Sequence, residues 1–459
     1  MAEILLVTNG PIGIRFSVVE LARKLTLAGH QTTLVGTASL EELTKPYDLA
    51  FRKLPESRKP QLSPDLTLLS KFRNWLNRDQ RRRRSWDAHS PDAWSALLDK
   101  ENPDLLLIDG EMHEQILLAG AADTPLVTLN TFASIWRTPG APPPHTSIRP
   151  GIGWSGTWVG TWLAWRFYFL RKRYRAFQRW LRWQGCDRLA VLRVVARELA
   201  FDLDAVTDRN QWLTPFTWSA YPALSLHARE LEFFPETVEK IDRPSIVFTG
   251  PLILKNRRES PLSISDRKRL DELYRRRAAA SGKGYALLMV ALGSHFSAHM
   301  PWLLRLFSSI ENRPEWELIV TLGGQQSLDA VVPADRVHVF SWLPQLEVLA
   351  HVDAAVVHGG VNTIDECLYF GVPMLVCSGG ETDMSGNQAR VLHHGLGLAA
   401  QPDKDTALAI EHKLLRLLME SGFRNRAQAF ASTLRGYEKE RVAEKAIESL
   451  LQEQFQHAP

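Results

Sequence analysis

The sequence predicts an α/β protein built from two doubly wound, Rossmann-like domains. Two observations predict this fold class. Short apolar runs alternate with helical patterns in both halves of the chain, and a charged stretch of low hydrophobicity separates the halves. A length of 459 residues with 45% hydrophobic content also favours two cores over one.

The first half begins with a strand, a helix and a second strand. Residues 3–8 form a short apolar run, and a turn rich in Gly and Pro at 9–13 precedes an amphipathic pattern and another apolar run. The segments 103–110 and 124–130 are continuous apolar runs bounded by turn residues, which is typical of buried parallel strands. We therefore predict a first domain over 1–254.

The second half repeats the alternation after the charged segment 255–283, which we predict to be the linker between the domains. A second Rossmann-like domain is predicted over 284–435. A charged helix with one apolar side is predicted to close the structure at 436–459. The predicted strands of the second domain are 285–294, 316–324, 336–342, 354–360 and 373–380.

Composition and charge exclude several classes of protein. The formal net charge of +4 gives no reason to expect a nucleic-acid partner. Cys186, Cys367 and Cys377 form no close pair and no metal-type spacing, so we expect a reducing compartment and no zinc site. The first residues lack the pattern of a signal peptide, and no apolar run reaches the roughly 20 residues that cross a bilayer. We therefore expect a cytoplasmic protein.

Aromatic and basic residues are concentrated in Trp154–Trp183, which holds six of the fifteen tryptophans. Indole rings favour the headgroup region of a bilayer, where cations meet anionic lipid. The pattern predicts a helix at a membrane surface, and burial of the tryptophans in the domain or at a subunit contact is the alternative. Four of them recur at helical spacing and are predicted to share one face: Trp154, Trp158, Trp162 and Trp165.

A second basic segment supports the membrane prediction. Residues Arg52–Arg84 contain eleven Lys or Arg against three Asp or Glu. Each such charge near an anionic leaflet contributes on the order of 1 kcal/mol. We expect the two basic segments together to hold the protein peripherally on the inner face of the membrane.

The most informative motif is a strand pattern that ends in Gly359 and Gly360, followed by a helix that opens at 362–363. Glycines let a ligand approach the backbone, and a helix start offers unpaired N–H groups and a positive dipole end to an anion. His358 can donate one further hydrogen bond. The motif predicts a diphosphate-binding turn; the alternative is an ordinary strand-to-helix turn whose polar residue only caps the helix.

The surrounding segment resembles the UDP-glycosyltransferase family, in which two Rossmann-like domains face a central cleft in the GT-B fold. The resemblance is carried by WLPQ at 342–345, HGGVNTIDE at 358–366, GVP at 371–373 and DMSGN at 383–387. It implies that the second domain binds a UDP-sugar and that the first domain binds the acceptor. The donor-site residues it implies are Gly293, Ser294, Trp342, Leu343, Gln345, His358, Gly360, Asn362, Thr363, Glu366 and Asp383.

The resemblance also implies roles for these residues. Trp342 is expected to stack on the uracil with Gln345 beside the base, and Glu366 to accept hydrogen bonds from the ribose hydroxyls. Met384 stands where the family has a glutamine that reads the sugar hydroxyls, so the sequence does not identify the sugar. The diphosphate is assigned to Gly293, Ser294, His358, Asn362 and Thr363.

The family's catalytic base is missing. An inverting transferase needs a base that deprotonates the acceptor and donors that neutralise the leaving diphosphate. The family's histidine corresponds to Ile14, which cannot accept a proton, whereas its carboxylate partner is matched by Asp109. We consider Asp109, Glu111 and His113 as candidate bases. An acceptor that is already anionic, or a protein that binds nucleotide sugar without transferring it, are the alternatives.

Taken with the resemblance, the sequence predicts an inverting, metal-independent glycosyltransferase that moves a sugar from a UDP-sugar to a lipophilic acceptor of the lipid or isoprenoid type. No cofactor beyond the donor substrate is expected. A soluble natural-product glycosyltransferase is the nearest alternative. A non-catalytic nucleotide-sugar-binding protein and an epimerase on the same scaffold are the others.

Overall fold

The structure is a computed structural model. It describes residues 1–55, 67–238, 244–257, 262–280, 284–293, 300–321, 335–379 and 382–457.

The first half is organised around a parallel sheet. The strands of this half, in chain order, are β1 (Glu3–Val7), β2 (Gln31–Gly36), β3 (Ala50–Lys53), β4 (Leu105–Asp109), β5 (Leu126–Asn130), β6 (Thr207–Asp208), β7 (Thr217–Trp218), β8 (Ala223–Ser225) and β9 (Ile246–Phe248). Among the described residues, seven of them form one sheet in the order β3-β2-β1-β4-β5-β8-β9, while β6 and β7 pair separately. The strand order reverses between β1 and β4. The crevice at the carboxyl ends of these two strands is therefore the topological switch point of the sheet.

Helices cover both faces of this sheet. Neighbouring residues of β1 alternate between two cores, because Ile4 and Leu6 pack with one set of helices whereas Leu5 and Val7 pack with the other. The helices are α1 (Ile12–Leu27), α2 (Ala38–Thr44), α3 (Leu68–Leu76), α4 (Arg78–Asp87), α5 (Pro91–Glu101), α6 (His113–Ala121), α7 (Trp158–Arg182), α8 (Arg188–Glu198), α9 (Leu203–Val206) and α10 (Pro235–Val238).

The second half has the same architecture, a parallel sheet with helices. Its elements are α11 (Ile264–Ala279), β10 (Ala286–Ala291), α12 (Met300–Ser309), β11 (Trp316–Thr321), β12 (Val337–Phe340), α13 (Gln345–Leu349), β13 (Ala354–Val357), α14 (Val361–Tyr369), β14 (Met374–Val376), α15 (Met384–His393), β15 (Gly397–Ala399), α16 (Ala407–Met419), α17 (Ser421–Lys439) and α18 (Val442–His457). The described strands form a sheet in the order β12-β11-β10-β13-β14-β15. The order reverses between β10 and β13, so ligands are expected in the crevice at the carboxyl ends of these two strands.

Two segments join the halves. The range 255–283, predicted as a linker, contains α11, and its Leu270 and Leu273 are buried in the core of the second half. The helix predicted to close the structure is α18, and it returns to the first half. Its Ala443, Ile447 and Leu451 pack with β1 and α1 in one core, so this core contains residues from both ends of the chain.

The structure corrects the predicted tryptophan stripe. Trp154 lies in a short 3-10 helix that ends before α7 begins at Trp158. Trp165 is buried, and its Nε1 donates a hydrogen bond to the carbonyl of Ala141 at 2.8 Å. A loop from the first half covers this side of α7, which sequence periodicity could not indicate. The tryptophans therefore do not share one face, although Trp158 and Trp162 remain exposed.

A different apolar face of α7 is exposed. Leu170, Tyr174, Phe177 and Leu181 recur at spacings of four, three and four residues, and each is more than half exposed. They lie opposite the side that buries Trp165. We call these four side chains the apolar α7 face. No helix of the described residues is long and apolar enough to cross a membrane.

Candidate functional site

The switch point of the second half is closed by a glycine turn around an imidazole. His358 follows β13, and its ring lies between Gly293 at the end of β10 and Gly360 at the start of α14. A Cβ at Gly293 would lie 3.5 Å from the ring, and one at Gly360 would lie 2.5 Å from it. Gly359 adopts φ +93°, which favours glycine. The two glycines beside the ring therefore let an imidazole sit between the ends of two neighbouring strands.

The first turn of α14 faces the other half of the molecule. Within the described residues, no side chain caps this helix at Gly360, so its first N–H groups remain available to a ligand. The neighbouring half approaches closely, because a Cβ at Gly13 would lie 2.7 Å from Nδ2 of Asn362. Asn362 and Thr363 are both half-buried. This arrangement brings the start of α1 against the start of α14.

Glu366, one turn further along α14, is held by two neighbours. Its Oε1 accepts a hydrogen bond from Nη1 of Arg257 at 2.6 Å, and its Oε2 accepts a short hydrogen bond from Nε2 of Gln345. Trp342 is half-buried, and no described group accepts a hydrogen bond from its Nε1. The side chain of Leu343 packs in the core instead, so only its backbone can face a ligand.

Asp383 lies at the site, but its carboxylate is hydrogen-bonded to another side chain of the protein. The Nδ2 group of Asn387, one turn into α15, donates to Oδ2 of Asp383 and to the carbonyl of Gly359, both at 3.0 Å. Asn387 therefore links the start of α15 to the glycine turn after β13. The buried carboxylate of Asp383 orients this amide.

The switch point of the first half contains a buried carboxylate. Asp109 is the last residue of β4, and its Oδ1 accepts from the backbone N–H of Glu111 at 3.1 Å. Burial raises the pKa of Asp109 to about 6, although hydrogen bonds from Glu111 and from the Thr8 hydroxyl work to lower it. A carboxyl group with a pKa near 6 is ionised at neutral pH and is basic enough to accept a proton. In the turn that follows β1, the side chain of Ile14 packs over Gly10.

A small cavity of about 10 Å³ lies beside Asp109. Polar side chains and apolar or aromatic side chains contribute equally to its lining. The aromatic and aliphatic side chains of this lining are Leu129, Phe132, Ile135, Trp136, Leu213 and Trp218.

The two other candidate bases have different surroundings. Desolvation, followed by the charge of Asp109, raises the pKa of Glu111, and its carboxylate also interacts with the charge of Asp383 across the cleft. His113 is buried, and its Nδ1 accepts a hydrogen bond from Nε1 of Trp218 at 3.0 Å. Burial lowers the pKa of His113 to about 3. The structure thus places Glu111 at the cleft and His113 behind the wall of the cavity.

Three further contacts close the cleft between the halves. Nδ1 of His227 lies 2.6 Å from Oδ2 of Asp365 on α14, and both side chains are buried. The guanidinium of Arg390 pairs with Glu232 at 3.4 Å. The loop after β5 also reaches α15, as described below.

Comparisons with known proteins show what this chain is similar to. Residues 309–445 match the family described as "Erythromycin biosynthesis protein CIII-like, C-terminal domain". The chain is 30% identical over 141 residues to oleandomycin glycosyltransferase of Streptomyces antibioticus. This alignment covers 29% of this chain and 30% of that protein. It is 28% identical over 169 residues to demethyllactenocin mycarosyltransferase of Streptomyces fradiae, covering 37% and 36%. These matches span about a third of the length of the curated relatives.

Solved structures match over nearly the whole chain. The calicheamicin glycosyltransferase CalG4 superposes with a TM-score of 0.64 at 18% identity, over 99% of each chain. The glycotransferase of kitacinnamycin superposes with a TM-score of 0.63 at 19% identity, over 98% of this chain and 99% of that one. These likenesses establish the GT-B fold. Over about a third of its length, the chain is also similar in sequence to known glycosyltransferases.

The fold brings most of the predicted donor-site residues together. Gly293, His358, Gly360, Asn362 and Thr363 surround the second switch point. Ser294 lies outside the described residues. Within the described ranges, no group of three His, Cys, Asp or Glu side chains is arranged to hold a metal ion.

The sequence analysis missed three participants. Arg257 precedes the motif by about a hundred residues, and only the fold brings it to Glu366. Asn387 was visible in the motif, but its hydrogen bond to Gly359 was not. His227 lies in the first half, and no sequence pattern ties it to Asp365.

Proposed function

We propose that the protein is an inverting, metal-independent glycosyltransferase that moves a sugar from a UDP-sugar to a lipophilic acceptor. One observation carries the proposal: two switch points face each other across the cleft. One offers a buried carboxylate with a pKa near 6, and the other offers the open start of α14 beside His358. Asp109 and the start of α14 thus supply the base and the anion-binding site that sugar transfer needs.

The proposed mechanism divides the work between the halves. The N–H groups at the start of α14, with His358, neutralise the charge that develops on the departing diphosphate. Asp109, which lies in the first half, accepts the proton of the acceptor hydroxyl. Because base and diphosphate lie on opposite sides of the cleft, attack occurs on the face away from the leaving group, and the anomeric configuration inverts.

The apolar side chains beside Asp109 support a lipophilic acceptor. Phe132, Ile135 and Trp136 line the small cavity there, so an acceptor that displaces these side chains and widens the cavity binds mainly by burying apolar area. The natural-product glycosyltransferases among the relatives favour the second candidate, an antibiotic-like small molecule. Both candidates share a hydroxyl on an apolar scaffold.

The transfer proposal is tested with the purified full-length chain. UDP binding is measured by calorimetry, and UDP-sugars are incubated with a lipid extract and with a panel of polyketide aglycones. We expect UDP release and a product heavier by one sugar in the lipid extract. A product only from the panel assigns the second candidate, and tight UDP binding with neither product nor hydrolysis assigns a binding protein instead.

We further propose that the apolar α7 face rests on an anionic membrane surface. Arg171, Arg175 and Arg182 recur at spacings of four and seven residues, which places a basic edge beside that face. Amphipathic helices with this distribution lie in the headgroup region. In the other basic segment, Arg82 and Arg83 are paired with acidic side chains, so α7 provides the stronger support.

The membrane proposal is tested by vesicle sedimentation. Wild-type protein is expected to bind vesicles that contain phosphatidylglycerol, and the double variant Phe177→Ser/Leu181→Ser is expected to lose roughly tenfold or more in partitioning. Leu408→Ser is the matched control, because Leu408 is also exposed but lies on α16. A dimer that the same double variant dissociates would instead assign the face to a second copy of the chain.

A further inference from the structure

Arg257 occupies a position where three parts of the molecule meet. It belongs to the segment that leads from β9 to α11, and its side chain is only 8% exposed. Its guanidinium carbon lies 4.6 Å from the ring centroid of Phe16 on α1. Its Nη1 lies 2.6 Å from Oε1 of Glu366 on α14. One cation therefore contacts both halves from the segment that connects them.

The contact fixes the carboxylate of Glu366. Arg257 binds one of its oxygens and Gln345 binds the other, so the carboxylate has a single orientation. A carboxylate oxygen accepts more than one hydrogen bond, and lone pairs remain on both atoms for a ligand. The side chain of Glu366 is only 11% exposed, and the adjacent cation compensates for the burial of its charge. An ionised, oriented carboxylate is a strong acceptor for hydroxyl groups.

We propose that Arg257 is a positioning residue that makes the nucleotide site selective for ribose over 2′-deoxyribose. The inference rests on the proposed function and on the role that the family resemblance implies for Glu366, which is to accept hydrogen bonds from the ribose. Arg257 holds that carboxylate in the orientation in which it accepts from two adjacent hydroxyls. A donor that lacks the 2′-hydroxyl leaves one of these bonds unmade. Because Arg257 also contacts Phe16 on α1, the orientation of the Glu366 carboxylate depends on the closed arrangement of the halves.

The test compares UDP with 2′-deoxy-UDP by calorimetry. Wild-type protein is expected to bind UDP about tenfold or more tightly than the deoxynucleotide, because a hydrogen bond to a charged group is lost. Arg257→Met is expected to weaken UDP binding about tenfold and to bring the ratio of the two affinities close to one. Arg257→Lys, which keeps the charge, is expected to restore part of the ratio.

Two controls separate positioning from general stability. Arg267→Met removes another arginine–glutamate pair, Arg267–Glu347, which is more exposed; it is expected to leave both affinities unchanged. In a Glu366→Ala background, Arg257→Met is expected to have no further effect on the ratio.

The outcomes are distinguishable. If Arg257→Met weakens both nucleotides equally, or neither, the role assigned to Arg257 is wrong while the nucleotide site stands. If wild-type protein does not bind UDP, the proposed function fails and this inference fails with it. Circular dichroism checks the fold of each variant, and Arg257→Gln replaces Arg257→Met if the latter does not fold.

Discussion

The two switch points share a strand order and differ in what closes them. In the second half, the turn after β13 consists of glycines around His358, and the helix behind it starts without a side-chain cap. In the first half, the side chain of Ile14 packs over Gly10, and a buried carboxylate at Asp109 supplies the polar group. The site in the second half uses the backbone, and the site in the first half uses one side chain.

The difference indicates how each site tolerates change. A site made from N–H groups and glycines depends on backbone geometry, so many side chains around it can vary. A site whose chemistry rests on one carboxylate depends on that residue and on the burial that raises its pKa. The predictions below test this difference by changing one site, or the contact between the halves, at a time.

The largest effect is expected at Asp109. Asp109→Asn keeps the shape of the residue and removes its ability to accept a proton. We expect the transfer rate kcat to fall about 10²- to 10⁴-fold, with the Kd for UDP unchanged. Single-turnover kinetics and calorimetry measure the two quantities. Transfer at the wild-type rate would exclude Asp109 as the base and favour an acceptor that is already anionic.

The variant Trp342→Ala tests the nucleotide site in the second half. Base stacking on an aromatic ring contributes about 1–3 kcal/mol, so we expect the Kd for UDP to rise roughly 5- to 150-fold. Trp180→Ala, on the surface of α7, is the matched control and should leave Kd unchanged. Equal affinity in wild type and Trp342→Ala would remove the nucleotide from this crevice.

The pH dependence tests the chemical state of the base. The base must be ionised, and the pKa of Asp109 is raised to about 6 by burial. Therefore kcat/KM is expected to fall about tenfold per unit as the pH drops below 6 and to level off above it. A profile that is flat between pH 5 and 8 in buffers of constant ionic strength would contradict the assignment.

The smallest effect is expected where the halves touch. A Cβ at Gly386, in the first turn of α15, would lie 1.8 Å from the carbonyl oxygen of Pro144 in the loop after β5. We expect Gly386→Ala to force these segments apart and to raise the KM for the donor severalfold, with an overpacking cost of about 1–3 kcal/mol. Gly436→Ala on α17 is the control, because no atom lies within 4 Å of the added carbon. An unchanged KM in Gly386→Ala would show that closure does not limit donor binding.

The sequence predicted the parallel-strand halves, and it predicted that the candidate donor-site residues lie close together, for one physical reason. Trp342, His358 and Glu366 lie on successive loops and helix starts of one half, so short-range patterns describe them. Contacts between distant segments could not be predicted in this way. Arg257 meets Glu366, and His227 meets Asp365, only after both halves have folded.

The tryptophan segment illustrates the same limit. Its periodicity correctly indicated an amphipathic helix but did not identify the exposed side, because the loop that carries Ala141 covers Trp165. His113 is a similar example. A histidine near a predicted active site was a reasonable base, yet Trp218 from a later strand buries it and binds its Nδ1.

The return of α18 to the first half has a consequence for biosynthesis. Ile447 and Leu451 complete the core that contains Ile4 and Leu6, so nearly the entire polypeptide must leave the ribosome before that core is filled. The half made first therefore finishes folding last, with an apolar groove exposed throughout translation. A chain truncated before Val442 is expected to accumulate as an aggregation-prone species, even though every strand of its first sheet is present.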